Sequence, residues 1–452
     1  MKKIFQYIML AVVTIVMASC TSDIEETTTT TGKNNVQLVV GEFPAFGDSQ
    51  TRAIGTPDEG KTSWAKGDEL LLEMTSKTLG TKYAAFTYNG SSWELTSGEL
   101  SYKEDEVPTF PHVYYAPNYK WEAGKLVLKE GKVAGTDEYI EGTAQITPNG
   151  EAITVKFSGA TRNYSRLRIA TMPNKPITVD TEYFTPAGSS DMEQKGNYTL
   201  TSDEKGNACL YGTFENNSEV TVKYRGATLK TYKFSKETEN AKSYALDATV
   251  ISANSAEEIK SAIKQEVANS KTAIILNLAS DAGDNEFKTI REAFKNVQDA
   301  TIDLTLIGCK EIPADGLKEL NALKSIFLPD VTKIGMNALS RCVYLEEICA
   351  PNVSTIDERA FAGFIMLEKV TLGELTDVRG EANSGGGIFD DDNWTPYIDL
   401  YLPKNQEVMK GEFDNNSNQY IWKPTGESYF ASPDYDNGIF LGYQFNSVKS
   451  WE

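Results

Sequence analysis

The stretch LEEICAPNVSTIDERAFAGFIMLEKV, residues 345–370, contains its own repeat. LEEICAPNV at position 345 matches LKSIFLPDV at position 323, and LEKVTLGEL follows at position 367, so the period is 22 residues both times. Apolar or small residues occupy aligned positions of four successive segments, as in the set Leu304, Ile326, Ile348 and Val370. A period of this length predicts a solenoid, in which each coil buries the apolar face of its neighbour.

These repeats resemble the BspA-type leucine-rich repeat, whose theme is AF-x-x-C-x-x-L-x-x-I-x-L-P. The residues on that theme are Pro329, Cys342, Leu345, Ile348, Pro351, Ala360 and Phe361. The resemblance implies an α/β leucine-rich-repeat solenoid, which we expect over residues 253–430, with a C-terminal segment over residues 431–452. Ser255 and Glu258 form a capping box before a helical apolar stripe, so we expect a helix to cover the first coil.

Residues that alternate with the buried ones along each predicted strand should point outwards, because successive side chains of a strand face opposite sides. Aromatic side chains such as Phe327 and Tyr401 are typical anchors of binding surfaces. We therefore expect the concave face of the solenoid to dock a protein or a glycan, with an ordinary sheet surface as the alternative. The face has two columns of side chains: Asp303, Ser325, Glu347, Lys369 and Asp399 in one, and Thr305, Phe327, Cys349, Thr371 and Tyr401 in the other.

The first half of the chain has short alternating apolar runs separated by turn residues, which is typical of all-β sandwiches or barrels. Asn89-Gly90 lies between two such runs and predicts a hairpin whose central residues both have positive φ. About half of the chain is too long for one small sandwich. We therefore expect two β-sandwiches, over residues 36–148 and 149–252.

This half resembles the fimbrillin or Mfa-like family of surface proteins. The matching segments are QTRAIG (50–55), TSWAKGDELLL (62–72), YAAFTYNGSSWEL (83–95) and YKFSKETENAKSYALDATV (232–250). In polymerising members of that family a protease cuts after an arginine near the first strand. The resemblance implies a possible processing site at Arg52 and other fimbrial subunits as possible partners; an exposed loop arginine that is never cut is the alternative.

The first residues indicate export. Lys2 and Lys3 precede a short apolar stretch, Ile8 to Val16, which is too short to span a bilayer. Met17-Ala18-Ser19-Cys20 resembles a lipoprotein box, so we expect a signal peptide over residues 1–19, lipidation of Cys20 and a flexible tether over residues 20–35. The mature protein would then be held at the outer membrane by acyl chains alone, facing outwards. An ordinary signal peptide with a chance cysteine is the alternative.

Composition argues against most kinds of chemistry. The net charge of −20 disfavours nucleic acid and anionic lipid as partners. His112 is the single histidine, whereas nucleophilic and zinc catalysis usually need at least one placed histidine. We therefore expect no catalytic residue, no cofactor and no metal, although Asp390, Asp391 and Asp392 form a weak calcium candidate. The prediction is a non-enzymatic surface lipoprotein for adhesion; a fimbrial subunit that assembles by strand exchange and a glycan-binding accessory protein are the alternatives.

Overall fold

The computed structural model describes residues 37–44, 46, 61–103, 106–146, 152–158, 161–390 and 395–451. Strands account for 45% of the described residues and helices for 9%. Cys20, Arg52, Asp391 and Asp392 lie outside the described residues. Within the described part of the chain, no helix has the length and apolarity needed to cross a lipid bilayer.

The first β-unit is one seven-stranded sheet with a small hairpin over its outer face. Its strand order is β1-β9-β8-β5-β2-β3-β4, parallel between β1 and β9 and antiparallel elsewhere. The ends β1 and β4 contact each other, so the sheet curls around its core into a barrel-like unit. The strands are β1 (Gln37–Val40), β2 (Glu69–Ser76), β3 (Gly80–Tyr88), β4 (Trp93–Gly98), β5 (Thr109–Tyr115), β6 (Tyr119–Glu122), β7 (Lys125–Leu128), β8 (Ile140–Ile146) and β9 (Ala152–Phe157).

The predicted hairpin at Asn89-Gly90 is present, because β3 pairs with β4 from Tyr88 and Trp93 onwards. Its turn differs from the expected one. Gly90 has φ 107°, whereas Asn89 is not among the residues with positive φ. The Asn89 side chain instead accepts hydrogen bonds from the backbone N–H groups of Ser91 and Ser92 at 2.8 and 2.9 Å, which closes a longer loop.

The second β-unit is also one continuous sheet, with the order β15-β14-β11-β13-β10-β16 and β12 paired to β11. Tyr183 has φ 50° within the long strand β11, which pairs with β14 before this kink and with β13 after it. Both units are therefore single barrel-like sheets, and the prediction of two-sheet sandwiches was wrong. The strands are β10 (Ser165–Ala170), β11 (Pro176–Pro186), β12 (Glu193–Thr201), β13 (Asn207–Phe214), β14 (Glu219–Tyr224), β15 (Ala227–Lys233) and β16 (Ser243–Asp247).

A buried ion pair lies between the first two units. The Arg162 guanidinium donates to both carboxylate oxygens of Glu138, at 3.0 and 3.1 Å, and to the carbonyl oxygen of Pro44 at 2.7 Å. Strands β8 and β9, which flank residues 148 and 149, pair with each other inside the first unit. The chain therefore passes from the first unit to the second after β9, near Arg162.

The third unit, which we call the coil unit, begins with two helices. Helix α1 (Ala256–Ala268) is the predicted capping helix: its N-cap Ser255 accepts from the backbone of Glu258, and Ile259 and Ile263 are buried. Helix α2 (Asp284–Phe294) packs beside it. A further helix, α3 (Pro433–Asn437), lies near the C-terminus.

Two ladders run through the coil unit; the strands of successive coils pair in parallel, whereas the last two strands of the shorter sheet pair antiparallel. The longer sheet has the order β17-β18-β19-β21-β23-β25-β27-β32, and the shorter one has the order β20-β22-β24-β26-β29-β28. The strands are β17 (Ile251–Ser252), β18 (Ala273–Asn277), β19 (Ile302–Ile307), β20 (Glu311–Ile312), β21 (Leu323–Phe327), β22 (Lys333–Ile334), β23 (Glu347–Ala350), β24 (Thr355–Ile356), β25 (Lys369–Leu372), β26 (Asp377–Arg379), β27 (Asp399–Pro403), β28 (Glu407–Asp414), β29 (Gln419–Ser428), β30 (Ile439–Phe440), β31 (Tyr443–Gln444) and β32 (Ser447–Trp451).

The 22-residue register of the coils is confirmed. Ile326 pairs with Ile348 and Ile348 with Val370, and all three are buried in one continuous core. Val370 then pairs with Leu400, so the eight extra residues before β27 are accommodated without a change of register.

The predicted α/β class is wrong, because the described coils between β19 and β27 contain turns where leucine-rich repeats of that class have helices. Arg341 and Arg359 have φ 59° and 57°, which a right-handed helix does not allow. The backbone N–H of Leu339 donates to the carbonyl of Ala360 in the next coil, at 3.0 Å. The outer arc therefore satisfies its backbone between coils, as a sheet does, and the unit is a nearly all-β solenoid.

Candidate functional site

The ten residues of the predicted face form two columns on the outward side of the long sheet. Strand pairing aligns Asp303, Ser325, Glu347, Lys369 and Asp399 in one column, and Thr305, Phe327, Cys349, Thr371 and Tyr401 in the other. Strand β32 extends them with Ser447 and Lys449. The alternating sequence SVKSW (447–451) is typical of a strand, but it lies outside the 22-residue repeat, so the repeat did not predict β32.

The second β-unit packs against the first half of this face at Phe327 and Ile307. At the tip of the β14–β15 hairpin, a Cβ atom on Gly226 would lie 3.4 Å from Cζ of Phe327. Beside it, Tyr224 and Ile307 share a small buried apolar cluster. Phe327 is half-buried at this junction, so its ring is engaged within the chain and is not a free anchor.

The middle of the face has small, unreactive side chains. Thr371 is buried, and Cys349 is half-buried next to it. Burial, followed by the negative charge of Glu347, raises the pKa of the Cys349 thiol to about 11. The thiol is therefore protonated at neutral pH and is a poor nucleophile.

The far end of the face is open and carries a network of paired charges. Lys369 Nζ lies 2.7 Å from Glu347 Oε1, and Lys449 Nζ lies 2.9 Å from Asp399 Oδ2. Both ammonium groups lie 5.5 Å from the centroid of the Tyr401 ring between them. Hydrogen bonds from Ser447 and Lys449 hold the pKa of Asp399 below its usual value, so this carboxylate stays ionised.

A groove of about 490 Å³ lies beside this network, which is within the size range of small-ligand sites. Tyr397 is 64% exposed and Met366 is 45% exposed at its rim. Sequence reasoning missed both, because Met366, which aligns with Tyr344 in the repeat, lies before the predicted strand, and Tyr397 comes after the insertion. The lining residues are Met366, Glu368, Lys369, Tyr397, Asp399 and Asn446.

The described part of the calcium candidate has a structural role. Asp390 is 4% exposed and accepts hydrogen bonds from Tyr443 Oη at 2.7 Å and from the backbone N–H groups of Asn383 and Gly387, both at 2.8 Å. These donors occupy its oxygens within the chain. Among the described residues, no group of three His, Cys, Asp or Glu side chains is placed to hold a metal ion.

Other candidate reactive groups are dispersed. His112 is exposed on β5, where its Nδ1 lies 3.0 Å from Tyr114 Oη and 3.3 Å from Glu141 Oε1. Burial raises the pKa of Cys309 and of Cys342 to about 12 inside the coil core. The face at the far end can therefore hold a polar ligand non-covalently, through hydrogen bonds and an aromatic rim.

No protein-family profile matches the chain, and no curated protein is significantly similar to it. Among solved structures, a candidate cell adhesion protein of Bacteroides fragilis is similar over 48% of this chain and 93% of its own length, with 13% sequence identity and a TM-score of 0.27. A similarity of this size does not establish a shared function.

Proposed function

We propose that this chain is a non-enzymatic adhesion protein of the bacterial outer surface, which binds an extracellular ligand through the outward face of its long parallel sheet. The observation that supports this most is the open network at the far end of the face, where Tyr401 lies between Lys369 and Lys449. Tyrosine and positively charged groups held in a fixed arrangement are typical of recognition surfaces, because they lose little conformational entropy on binding.

Lipidation of Cys20 is part of the proposal. Acyl chains on this residue would hold the protein at the outer membrane, with the tether over residues 20–35 separating the folded units from the lipid. Metabolic labelling with an alkyne analogue of palmitate should tag the wild type and not Cys20→Ala. Protease treatment of intact cells should release the folded units if the protein faces outwards, and full protection would contradict that orientation.

Binding through the face can be tested with the chain from residue 21 onwards on arrays of extracellular-matrix proteins and oligosaccharides. We expect the wild type to bind at least one probe and Tyr401→Ala to bind it at least about tenfold more weakly, as loss of an aromatic anchor does. Phe413→Ala is the matched control, because Phe413 is 54% exposed on β28 of the other sheet. Equal binding by Tyr401→Ala and the wild type would refute the proposed face.

A second candidate function, a fimbrial subunit that assembles by strand exchange, is favoured by strand β1. Among the described strands it pairs only with β9, and it precedes Arg52 in the sequence, so cutting after Arg52 would separate it covalently from the rest of the sheet. Treatment with a trypsin-like protease should then convert the monomer into multimers. A mature surface protein whose N-terminus lies before residue 52 would exclude this assembly route.

A further inference from the structure

We propose that the groove at the far end of the long sheet binds an uncharged oligosaccharide, with Tyr397 as the platform for one sugar ring. This inference rests on the proposed function and assigns a ligand class to the open part of its face. It is supported by the charge pairing around the groove, by the position of Tyr397 and by the size of the groove.

Both ammonium groups at the groove are already paired. Lys369 is paired with Glu347, and Lys449 is paired with Asp399. An anionic ligand would have to take an ammonium group from one of these carboxylates, and it would also meet the exposed carboxylate of Glu368 at the groove lining. The chain's net charge of −20 opposes the approach of polyanions further. Among oligosaccharides, neutral ones avoid these costs.

Sugar hydroxyl groups suit the hydrogen-bonding groups that remain. Asp399 accepts from Asn446 Nδ2 at 2.7 Å, from Ser447 Oγ at 2.6 Å and from Lys449 at 2.9 Å. These bonds hold the carboxylate and the Asn446 amide in fixed positions at the groove. A hydroxyl group can donate to a further carboxylate lone pair and accept from an N–H group, so it can join the network without breaking an ion pair.

Tyr397 offers an aromatic face on a fixed backbone. It ends the 3-10 turn Thr395–Tyr397, whose first residue is buried and accepts a hydrogen bond from the N–H of the fully buried Ile398 at 3.0 Å. Tyrosine gives a large contact area with few rotatable bonds, so little entropy is lost when a ligand packs on it. The C–H groups on one face of a sugar ring can pack against such a ring through weak C–H···π contacts.

The dimensions favour an oligosaccharide over a folded protein. The groove volume of about 490 Å³ is that of a small-ligand site. A stable protein interface buries roughly 800 Å² on each partner. The β14–β15 hairpin already packs against the face at Phe327, which restricts the flat area that a protein could cover.

The experiment uses the chain from residue 21 onwards and three sets of arrayed probes: neutral oligosaccharides, sulfated or sialylated oligosaccharides, and extracellular-matrix proteins. We expect binding to neutral oligosaccharides, and titration calorimetry on those probes should give an affinity that is nearly independent of salt concentration. Tyr397→Ala should weaken it at least about tenfold, whereas Tyr397→Phe should retain most of it. Phe413→Ala, which removes a similarly exposed ring elsewhere, should bind like the wild type.

The outcomes separate this inference from the proposed function. Binding confined to matrix proteins or to anionic oligosaccharides would overturn the ligand class. Neutral oligosaccharide binding that Tyr397→Ala leaves unchanged would overturn the platform. In either case, weaker binding by Tyr401→Ala would leave the proposed face intact. The expected result supports the proposal only if every variant keeps the melting temperature of the wild type.

Discussion

Asp330 should be the residue that fixes the second β-unit to the coil unit. It follows strand β21, is 3% exposed and accepts hydrogen bonds from Tyr224 Oη and from the backbone N–H of Gly308, both at 3.0 Å. Arg225 and Lys310 lie 3.2 and 3.9 Å from the same carboxylate. The perturbation is Asp330→Ala, which removes the acceptor and leaves the buried Tyr224 hydroxyl and the half-buried Gly308 N–H in place.

The expected loss of stability follows from those donors. A buried donor left without an acceptor costs about 1–3 kcal/mol, so Tyr224 gives about 1–3 kcal/mol and the half-buried Gly308 N–H adds no more than that. Arg225 and Lys310 are about half exposed, and such ion pairs add at most about 1 kcal/mol. Glu311→Ala is the matched control, because Glu311 is an exposed carboxylate 2.7 Å from Lys333. We expect it to cost no more than about 1 kcal/mol.

Urea denaturation gives the free energy of unfolding of each variant, and hydrogen exchange locates the change. In Asp330→Ala, peptides that contain residues 222–226 and 305–310 should exchange faster, while those around residues 345–350 should not. A loss no larger than that of Glu311→Ala, with unchanged exchange at Gly308, would refute the role of Asp330 at the junction.

Three further predictions concern the coil unit. Ile348→Ala should lower the free energy of unfolding by about 2–5 kcal/mol, because the side chain is fully buried between two coils. Urea denaturation measures this loss, and a value below about 1 kcal/mol would contradict the stacking of the coils. Burial raises the pKa of Asp390, but hydrogen bonds from Tyr443 and backbone N–H groups outweigh it, so the pKa lies below the usual 3.8. The stabilisation from the ionised Asp390 is therefore complete above pH 3.8 and is lost as the pH falls through the lowered pKa. Asp390→Asn should melt below the wild type at neutral pH and approach it in acid. A difference in melting temperature that is the same at both pH values would contradict this. Cys309 and Cys342, whose pKa values burial raises to about 12, should resist thiol reagents at neutral pH until the protein unfolds; rapid labelling of the folded chain would contradict their burial.

The register of the coils could be predicted because it depends on a property that repeats along the chain. Ile326, Ile348 and Val370 must each be buried, and a shift of one residue would turn every one of them outwards. Because Leu400 must also be buried, the same argument predicts that it pairs with Val370 despite the insertion between them. Burial of one face is thus enough to align strands that are 22 or 30 residues apart.

The class of the solenoid could not be predicted, because the outer arc contains ordinary helix-forming residues. Ala338, Leu339 and Ala360 are residues of high intrinsic helix propensity. The chain leaves the helical region at Arg341 and Arg359, and nothing about arginine indicates a positive φ. Hydrogen bonds between neighbouring coils decide the conformation there, and these depend on tertiary structure.

The two columns of the candidate site could be predicted, but the extent of its open part could not. Alternation along the strands placed Lys369, Asp399 and Tyr401 on the outward face. The cover over Phe327 comes from Gly226, about a hundred residues earlier in the chain, and no local pattern indicates such a contact. Tyr397 follows an insertion, where the repeat gives no information on position.

The irregular end of the solenoid is what makes its outward face distinctive. Identical coils would surround every position of a column with the same neighbours, so a site with its own geometry needs residues from outside the repeat. Strand β32 supplies them: Ser447 and Lys449 bind Asp399, and Trp451 Nε1 donates to the carbonyl of Leu372 at 2.9 Å. The same strand pairs with β27, whose edge would otherwise be open to other chains. Because β32 pairs with β27 and also supplies the groups that bind Asp399, the pairing of this strand and the binding geometry that we propose depend on the same residues.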